Sequence, residues 1–360
     1  MPHSPPRRKA SAGGLALLLA LCLLGCLPAA PIPTPVTRTP SPSPTQPHQP
    51  TPAAPTPIPP QPTRTPEPAP TDTPAGPPTP TPSPSASPLP HPAALAASPL
   101  LEVWDDPAFE GVTLNRQTQL VLGERVLVVQ TRGDWAEIRA LQQASSKNAL
   151  GYPGWVRRAG LAPDWPAGAD LWVVIAAFAP VYTRPDSSAE RMLLAPLDAR
   201  MAASQADAAW VNVRLPGERT GWVERTLLRP LAGGETKLVL AELLGMAHSL
   251  AGAPYLWGGT APGAFDCSGF VYRLFASRGL ALARDAMDQA RNGTPVKPDT
   301  YQPGDLLFFS PAPGGNITHV ALYTGSLQVL DAQLEQGLKT RSLYELLTGR
   351  YLVAARRVLP

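Results

Sequence analysis

Residues 265–272 read Phe-Asp-Cys-Ser-Gly-Phe-Val-Tyr, and Cys267 is the one cysteine beyond the first 26 positions of the chain. Cys22 and Cys26 sit in an apolar N-terminal run, so Cys267 has no disulfide partner in the globular part. Phe270, Val271 and Leu274 follow it at the spacing of one helical face, and Gly279 supplies a stop. Cys267 then falls in the first turn of a buried helix. Unpaired N–H groups and the positive end of the helix dipole favour the nucleophilic thiolate there. The other role open to a lone cysteine is plain core packing.

A thiol nucleophile needs a base. Of the five histidines, His3, His48 and His91 fall in the N-terminal apolar and proline-rich segments. His248 lies on a Leu- and Ala-rich helix, where packing or surface is its role. His319 opens the alternating run Ile317-Thr318-His319-Val320-Ala321-Leu322-Tyr323, with its ring on the side opposite Val320. An imidazole within reach of the thiol takes its proton and later protonates a leaving amine. A third group must orient that imidazole, and Asp331 is the candidate, since residues 329–331 continue a strand able to pair with the one carrying His319. A strand-end turn aspartate is its other reading. No second cysteine or histidine lies near enough in sequence to suggest a zinc site.

These residues need a scaffold. From residue 233 the chain reads as mixed α and β. A helix is expected over 237–250, with Leu238, Leu243, Leu244 and Ala247 inward and Gly252 ending it. Strands are expected over 305–309, 319–324 and 327–332, with 351–358 as an edge or closing strand. Residues 101–231 instead show short β-branched runs punctuated by Gly, Pro and Asp, the pattern of small barrels. A repeat runs through them. One copy carries Trp135 and Gly154-Trp155-Val156, the other Trp210 and Gly221-Trp222-Val223, and the first has a longer polar loop over 142–148. The tryptophans are expected mostly in the barrel cores.

Ahead of these modules, 27 of the 48 prolines fall between Pro28 and Pro92, interleaved with Thr, Ser and Ala. Such a segment builds no core and reads as a disordered, extended, semi-rigid spacer. The chain begins with Arg7-Arg8-Lys9 and an apolar run over 15–24, too short to span a bilayer and typical of a secretory signal. Leu23-Leu24-Gly25-Cys26 resembles a bacterial lipobox, which makes Cys26 the lipidated residue; ordinary cleavage near Ala29-Ala30 is the alternative. Three of the 30 basic residues and no acidic one precede Cys26, so the processed chain carries 27 of each sign. A neutral chain gives no support to nucleic-acid binding.

Four ordered blocks resemble the NlpC/P60 family of cell-wall cysteine peptidases: residues 252–259 (Gly-Ala-Pro-Tyr-Leu-Trp-Gly-Gly), 265–271, 303–309 (Pro-Gly-Asp-Leu-Leu-Phe-Phe) and 318–323. The resemblance covers about the last 125 residues. It implies an α+β, papain-like fold with the nucleophile on a helix packed against an antiparallel sheet, and no cofactor. The expected substrates are peptidoglycan stem peptides, cut between γ-D-glutamate and a diamino acid. By position it makes Cys267 the nucleophile, His319 the base and Tyr255 an oxyanion partner, while Asp266 and Ser268 match positions holding the substrate's N-terminal end. As a helix cap Asp266 would have a purely structural role. Residues 284–289, including Arg284 and Asp285, resemble a loop lining the groove, with Met287 where related enzymes carry serine. The family most often places histidine where Asp331 stands.

The two central modules resemble bacterial SH3 (SH3b) domains, which bind peptidoglycan or shape a neighbouring active site. In similar γ-D-glutamyl-diamino acid endopeptidases the first module walls off one end of the groove, and those enzymes prefer a free N-terminal L-alanine. The expected organisation is a signal over 1–25, a linker over 26–99, SH3-like barrels over 100–165 and 166–232, and a catalytic domain over 233–360. The whole reads as a monomeric, lipid-anchored envelope peptidase acting on muropeptides. Two alternatives stand beside it: a wall-binding lipoprotein with an inactive catalytic-like domain, and an acyl transferase built on the same pair.

Overall fold

The structure is a computed structural model, and it describes residues 91–231 and 239–359. The signal, Cys26 and nearly all of the proline-rich segment lie outside the described residues. The described residues form one compact unit.

Two antiparallel sheets of seven strands come first. One is built from β1 (Ala93–Ala96), β2 (Leu100–Trp104), β3 (Arg116–Val121), β4 (Arg125–Arg132), β5 (Trp135–Ala140), β6 (Tyr152–Arg157) and β7 (Leu161–Pro163). The other holds β8 (Leu171–Val174), β9 (Phe178–Tyr182), β10 (Arg191–Pro196), β11 (Arg200–Ala206), β12 (Trp210–Arg214), β13 (Thr220–Glu224) and β14 (Leu228–Pro230). Their strand orders, β3-β2-β6-β5-β4-β1-β7 and β10-β9-β13-β12-β11-β8-β14, are the same once the second set is renumbered from its first strand. The repeat in the tryptophans is therefore a repeat of topology. Two expectations change. The stretch assigned to the linker up to residue 99 already contains β1, which pairs with β4 and β7. The repeat tryptophans also fall outside the apolar clusters of the two modules, although Trp135 itself is buried. Alternation sends Ala136, Ile138 and Val156 inward, so Trp135 and Trp155 take the other face, beneath the guanidinium groups of Arg157 and Arg132.

The remaining residues form a sheet with helices on both faces. Helix α1 (Leu240–Ser249) buries Leu243 and Ala247, leaves Leu244 half-buried and exposes His248. A two-stranded ribbon, β15 (Thr260–Ala261) and β16 (Ala264–Phe265), leads into α2 (Cys267–Ala276). A short α3 (Ala286–Gln289) and β17 (Thr294–Pro295) follow, then β18 (Leu306–Ser310), β19 (His319–Gly325), β20 (Gln328–Gln333), β21 (Gly337–Ser342), α4 (Leu343–Leu347) and β22 (Tyr351–Arg357). The six-stranded order is β17-β22-β18-β19-β20-β21, all antiparallel. Strand β21 has no counterpart among the expected strands, because Gly337-Leu338-Lys339-Thr340-Arg341-Ser342 is largely polar.

Successive residues of β18 serve opposite faces. Leu306 and Phe308 pack with Phe270, Val271 and Leu274 of α2, whereas Leu307 and Phe309 pack with Leu343 and Leu346 of α4. The sheet is thus sandwiched between α2 and α4, and every residue of α2 from Cys267 to Phe275 is buried. Its start is fixed by Asp266, whose carboxylate accepts from the Gly269 N–H at 2.6 Å. The approach is so close that a Cβ at position 269 would lie 2.0 Å from the Gly259 carbonyl oxygen, which only glycine avoids.

Candidate active site

Cys267 is the first residue of α2, behind its Asp266 cap. Its backbone N–H belongs to the first turn, where no intrahelical acceptor is available. The side chain, 8% exposed, reaches the floor of a cavity of about 520 Å³. His319 is the first residue of β19, at the end of the sheet; its ring is hydrogen-bonded to Asp331 and is close enough to Cys267 to feel its charge. The Nε2–H donates to Asp331 Oδ2 at 2.6 Å, which leaves Nδ1 as the ring nitrogen available to a thiol proton. Continuing the Leu322–Leu330 register places Asp331 one diagonal step from His319, on the same side of the ladder.

Burial works against a charged imidazole here. The Cys267 charge and the bond to Asp331 outweigh it and push the His319 pKa up to about 9. Burial likewise penalises the Asp331 carboxylate, yet His319, Gln333 and Arg341 hold its pKa below the usual carboxylate value. Gln333 donates to Oδ2 at 2.9 Å, and the buried Arg341 guanidinium binds Oδ1. Arg341 is itself held by Gln336 at 2.8 Å and Glu345 at 3.1 Å. Sequence reasoning missed Arg341; its signal was a cation inside a short polar strand, two positions from the partner of Asp331.

Tyr255 lines the cavity beside Cys267. Burial, then the charges of Cys267 and Asp266, push its phenol well above the ordinary value, so the hydroxyl keeps its proton and can donate. Asp266 and Ser268 also line the cavity, but both are committed. Asp266 accepts from Gly258 N–H at 3.0 Å, Gly269 N–H, Ser268 Oγ at 3.1 Å and Arg284 Nη2 at 2.6 Å. Arg284 departs from the expected groove lining: it is 1% exposed, behind Asp266, and bonds Thr118 of β3 at 2.9 Å. Asp285, Ala286 and Met287 do line the cavity.

The first β module closes one end of this cavity with Arg116, Gln117, Lys147 and Tyr152. Tyr152 is buried in its own module's core, and its hydroxyl reaches both carboxylate oxygens of Asp285 at 3.1 Å. The polar loop after β5 makes the junction. Ala144 pairs with Ala283, and Ala144 C=O accepts from Arg284 N–H at 2.9 Å. None of these module residues was singled out from sequence, although the extra length of that loop was.

A helix-borne thiol, an imidazole at the end of a neighbouring strand and a buried carboxylate behind it define a cysteine hydrolase centre. The family model of the NlpC/P60 family matches residues 252–357. Over 243 residues the chain is 32% identical to the γ-D-glutamyl-L-lysine dipeptidyl-peptidase of Bacillus subtilis (strain 168), covering 67% of this chain and 80% of that protein. The Bacillus cereus protein of the same name (strain ATCC 10987 / NRS 248) is 30% identical over 255 residues, or 68% and 75% of the two chains. A crystal structure of an NlpC/P60 family protein from Bacillus cereus ATCC 10987 shares the fold, with TM-score 0.66 at 24% identity over 74% of this chain and 100% of that one. The chain belongs to the NlpC/P60 family and is a cysteine-type peptidase.

Proposed function

We propose that this peptidase hydrolyses the γ-D-glutamyl-diamino acid bond of peptidoglycan stem peptides at the cell envelope, tethered by lipid on Cys26 beyond a proline-rich spacer. The observation that carries the reading is the Cys267–His319–Asp331 array, whose Cys267 lines a cavity that the first β module closes at one end. A dead-ended groove suits an enzyme that measures a short distance from a substrate terminus. The names of the Bacillus relatives describe removal of a dipeptide ahead of lysine.

In this mechanism His319 Nδ1 takes the Cys267 proton, and the thiolate attacks the γ-glutamyl carbonyl carbon. The oxyanion is met by the Cys267 backbone N–H and the Tyr255 hydroxyl. Collapse breaks the C–N bond as His319 returns the proton to the leaving amine. His319 then deprotonates a water that hydrolyses the thioester, freeing the dipeptide and the thiol. Asp331 fixes the ring and stabilises its charged form. Asp266, Ser268 and Arg284 act together: the buried guanidinium and the helix cap hold Asp266 and Ser268 at the groove wall, and Asp285 with Tyr152 marks the end that receives the substrate's amino terminus. The two β modules, taken as SH3-like barrels, serve as groove wall and wall-facing surface of a monomer.

Purified protein incubated with L-Ala-γ-D-Glu-L-Lys and its diaminopimelate analogue should release the free diamino acid, and Cys267→Ala should release none. Binding to intact sacculi with no product from any peptide would favour a wall-binding lipoprotein instead.

A further inference from the structure

The closed end of the groove already holds an ammonium group. Lys147 Nζ touches the Tyr152 hydroxyl, lies 3.1 Å from Gln117 Oε1 and 3.3 Å from Asp285 Oδ2, and sits 4.3 Å from the centre of the Tyr152 ring. Three acceptors and one aromatic face are what a primary ammonium, with its three donors, asks for. The Tyr152 hydroxyl can accept from Lys147 while donating to Asp285. All four residues line the cavity whose floor is Cys267.

The backbone that carries Lys147 is pinned. Ala144 pairs with Ala283, Ser146 N–H donates to Asp288 Oδ2 at 2.8 Å, and Lys147 N–H donates to Ser145 Oγ at 3.1 Å. The side chain is not. It is 42% exposed, against 33% for Asp285, so solvent screens the pair and a four-carbon stem can swing the charge away. The α-ammonium of a peptide is the same chemical group as the lysine terminus. Both cannot occupy one cradle.

We propose that Lys147 is a tethered competitor for the substrate's amino terminus: its ammonium fills the Asp285–Tyr152–Gln117 corner and must leave before a free α-ammonium can enter, which sets the affinity for unblocked stem peptides. The proposal rests on the stem-peptide reading above and deepens it. Because the pair is exposed, the competition is modest and is worth about a factor of three in affinity, or about 0.7 kcal/mol.

The test measures binding, not turnover. Full-length protein carrying Cys267→Ala, alone and with Lys147→Met or Lys147→Arg, is titrated calorimetrically with L-Ala-γ-D-Glu and with its N-acetylated form. Methionine keeps the stem over the ring and removes the charge; arginine keeps a cation. The expected result is about threefold tighter binding of the free dipeptide by the Met variant, no change for the acetylated one, and parental affinity for the Arg variant. Equal or weaker binding of the free dipeptide by the Met variant, or the same gain for the acetylated form, overturns the proposal. Should the Met variant gain affinity while the protein with native Cys267 cleaves no peptide, Lys147 keeps its role and the hydrolytic reading alone fails.

Discussion

At the residue scale, the account turns on a carboxylate at a position the family most often gives to histidine. Asp331 brings a full negative charge next to His319, and a second cation, Arg341, stands behind it, so the imidazolium meets a carboxylate already held on both oxygens. Removing the charge while keeping the shape isolates its contribution. Asp331→Asn should lower kcat by roughly 10²–10⁴-fold, measured on a stem peptide, because an amide can present the wrong hydrogen-bonding partner to the ring, and it should also lower stability by leaving the buried Arg341 short of a charge. Cys267, His319 and Asp331 were all legible in the sequence, since a lone cysteine at a helix start leaves few places for its partners. Arg341 was not, because nothing in a local pattern says which buried acid a strand cation will meet.

The sign of the titration follows from the geometry. The native state holds the His319 proton more tightly than an unfolded chain, whose imidazole titrates near 6.5, and releases it only at about 9. The stabilisation is therefore fully present below pH 6.5 and is lost as the pH rises through about 9.

At the element scale, α2 is the piece on which the site depends. Its start is set by three cooperating features: the Asp266 cap, the Arg284 clamp on that cap, and glycine at 269. Gly269→Ala would place a methyl 2.0 Å from the Gly259 carbonyl oxygen, and neither atom ends a flexible side chain. The expected cost is about 1–3 kcal/mol, read as a lower midpoint in thermal unfolding, together with reduced activity as the cap loop shifts. The helix was legible from its apolar spacing, and strands β18, β19, β20 and β22 from their apolar runs. The polar β21 was not, because its place is set by pairing with β20. The tryptophan repeat was visible as a repeat, yet in the first module it signalled the arginine-covered face of the sheet and not the apolar cluster. Alternation along the strand decides that, and aromatic content does not.

At the scale of the whole molecule, Arg273 joins three regions. On α2 and fully buried, it bonds Asp198 of the second β module at 2.8 Å and Glu124 of the first at 3.2 Å. Burial alone would raise the Glu124 pKa, but Arg273, the Val121 N–H and Gln143 hold it below the usual value. That contribution is present above about pH 4.5 and lost as the pH falls below it. Glu124→Gln leaves Arg273 short of a charge and should destabilise the protein by about 3 kcal/mol. In a unit of this size that is roughly 6–12 °C in Tm, followed by calorimetry. The change from β-rich modules to a mixed α and β region was readable from the apolar patterns, but this junction was not, because its three members lie more than 70 residues apart and each looks like a surface charge in its own segment.

If Cys267 and His319 share a proton, an NMR titration of the His319 ring in the free enzyme should show a midpoint near 9 that drops in Cys267→Ala, where the charge on sulfur is gone. A midpoint near 6.5 that ignores the substitution would contradict it.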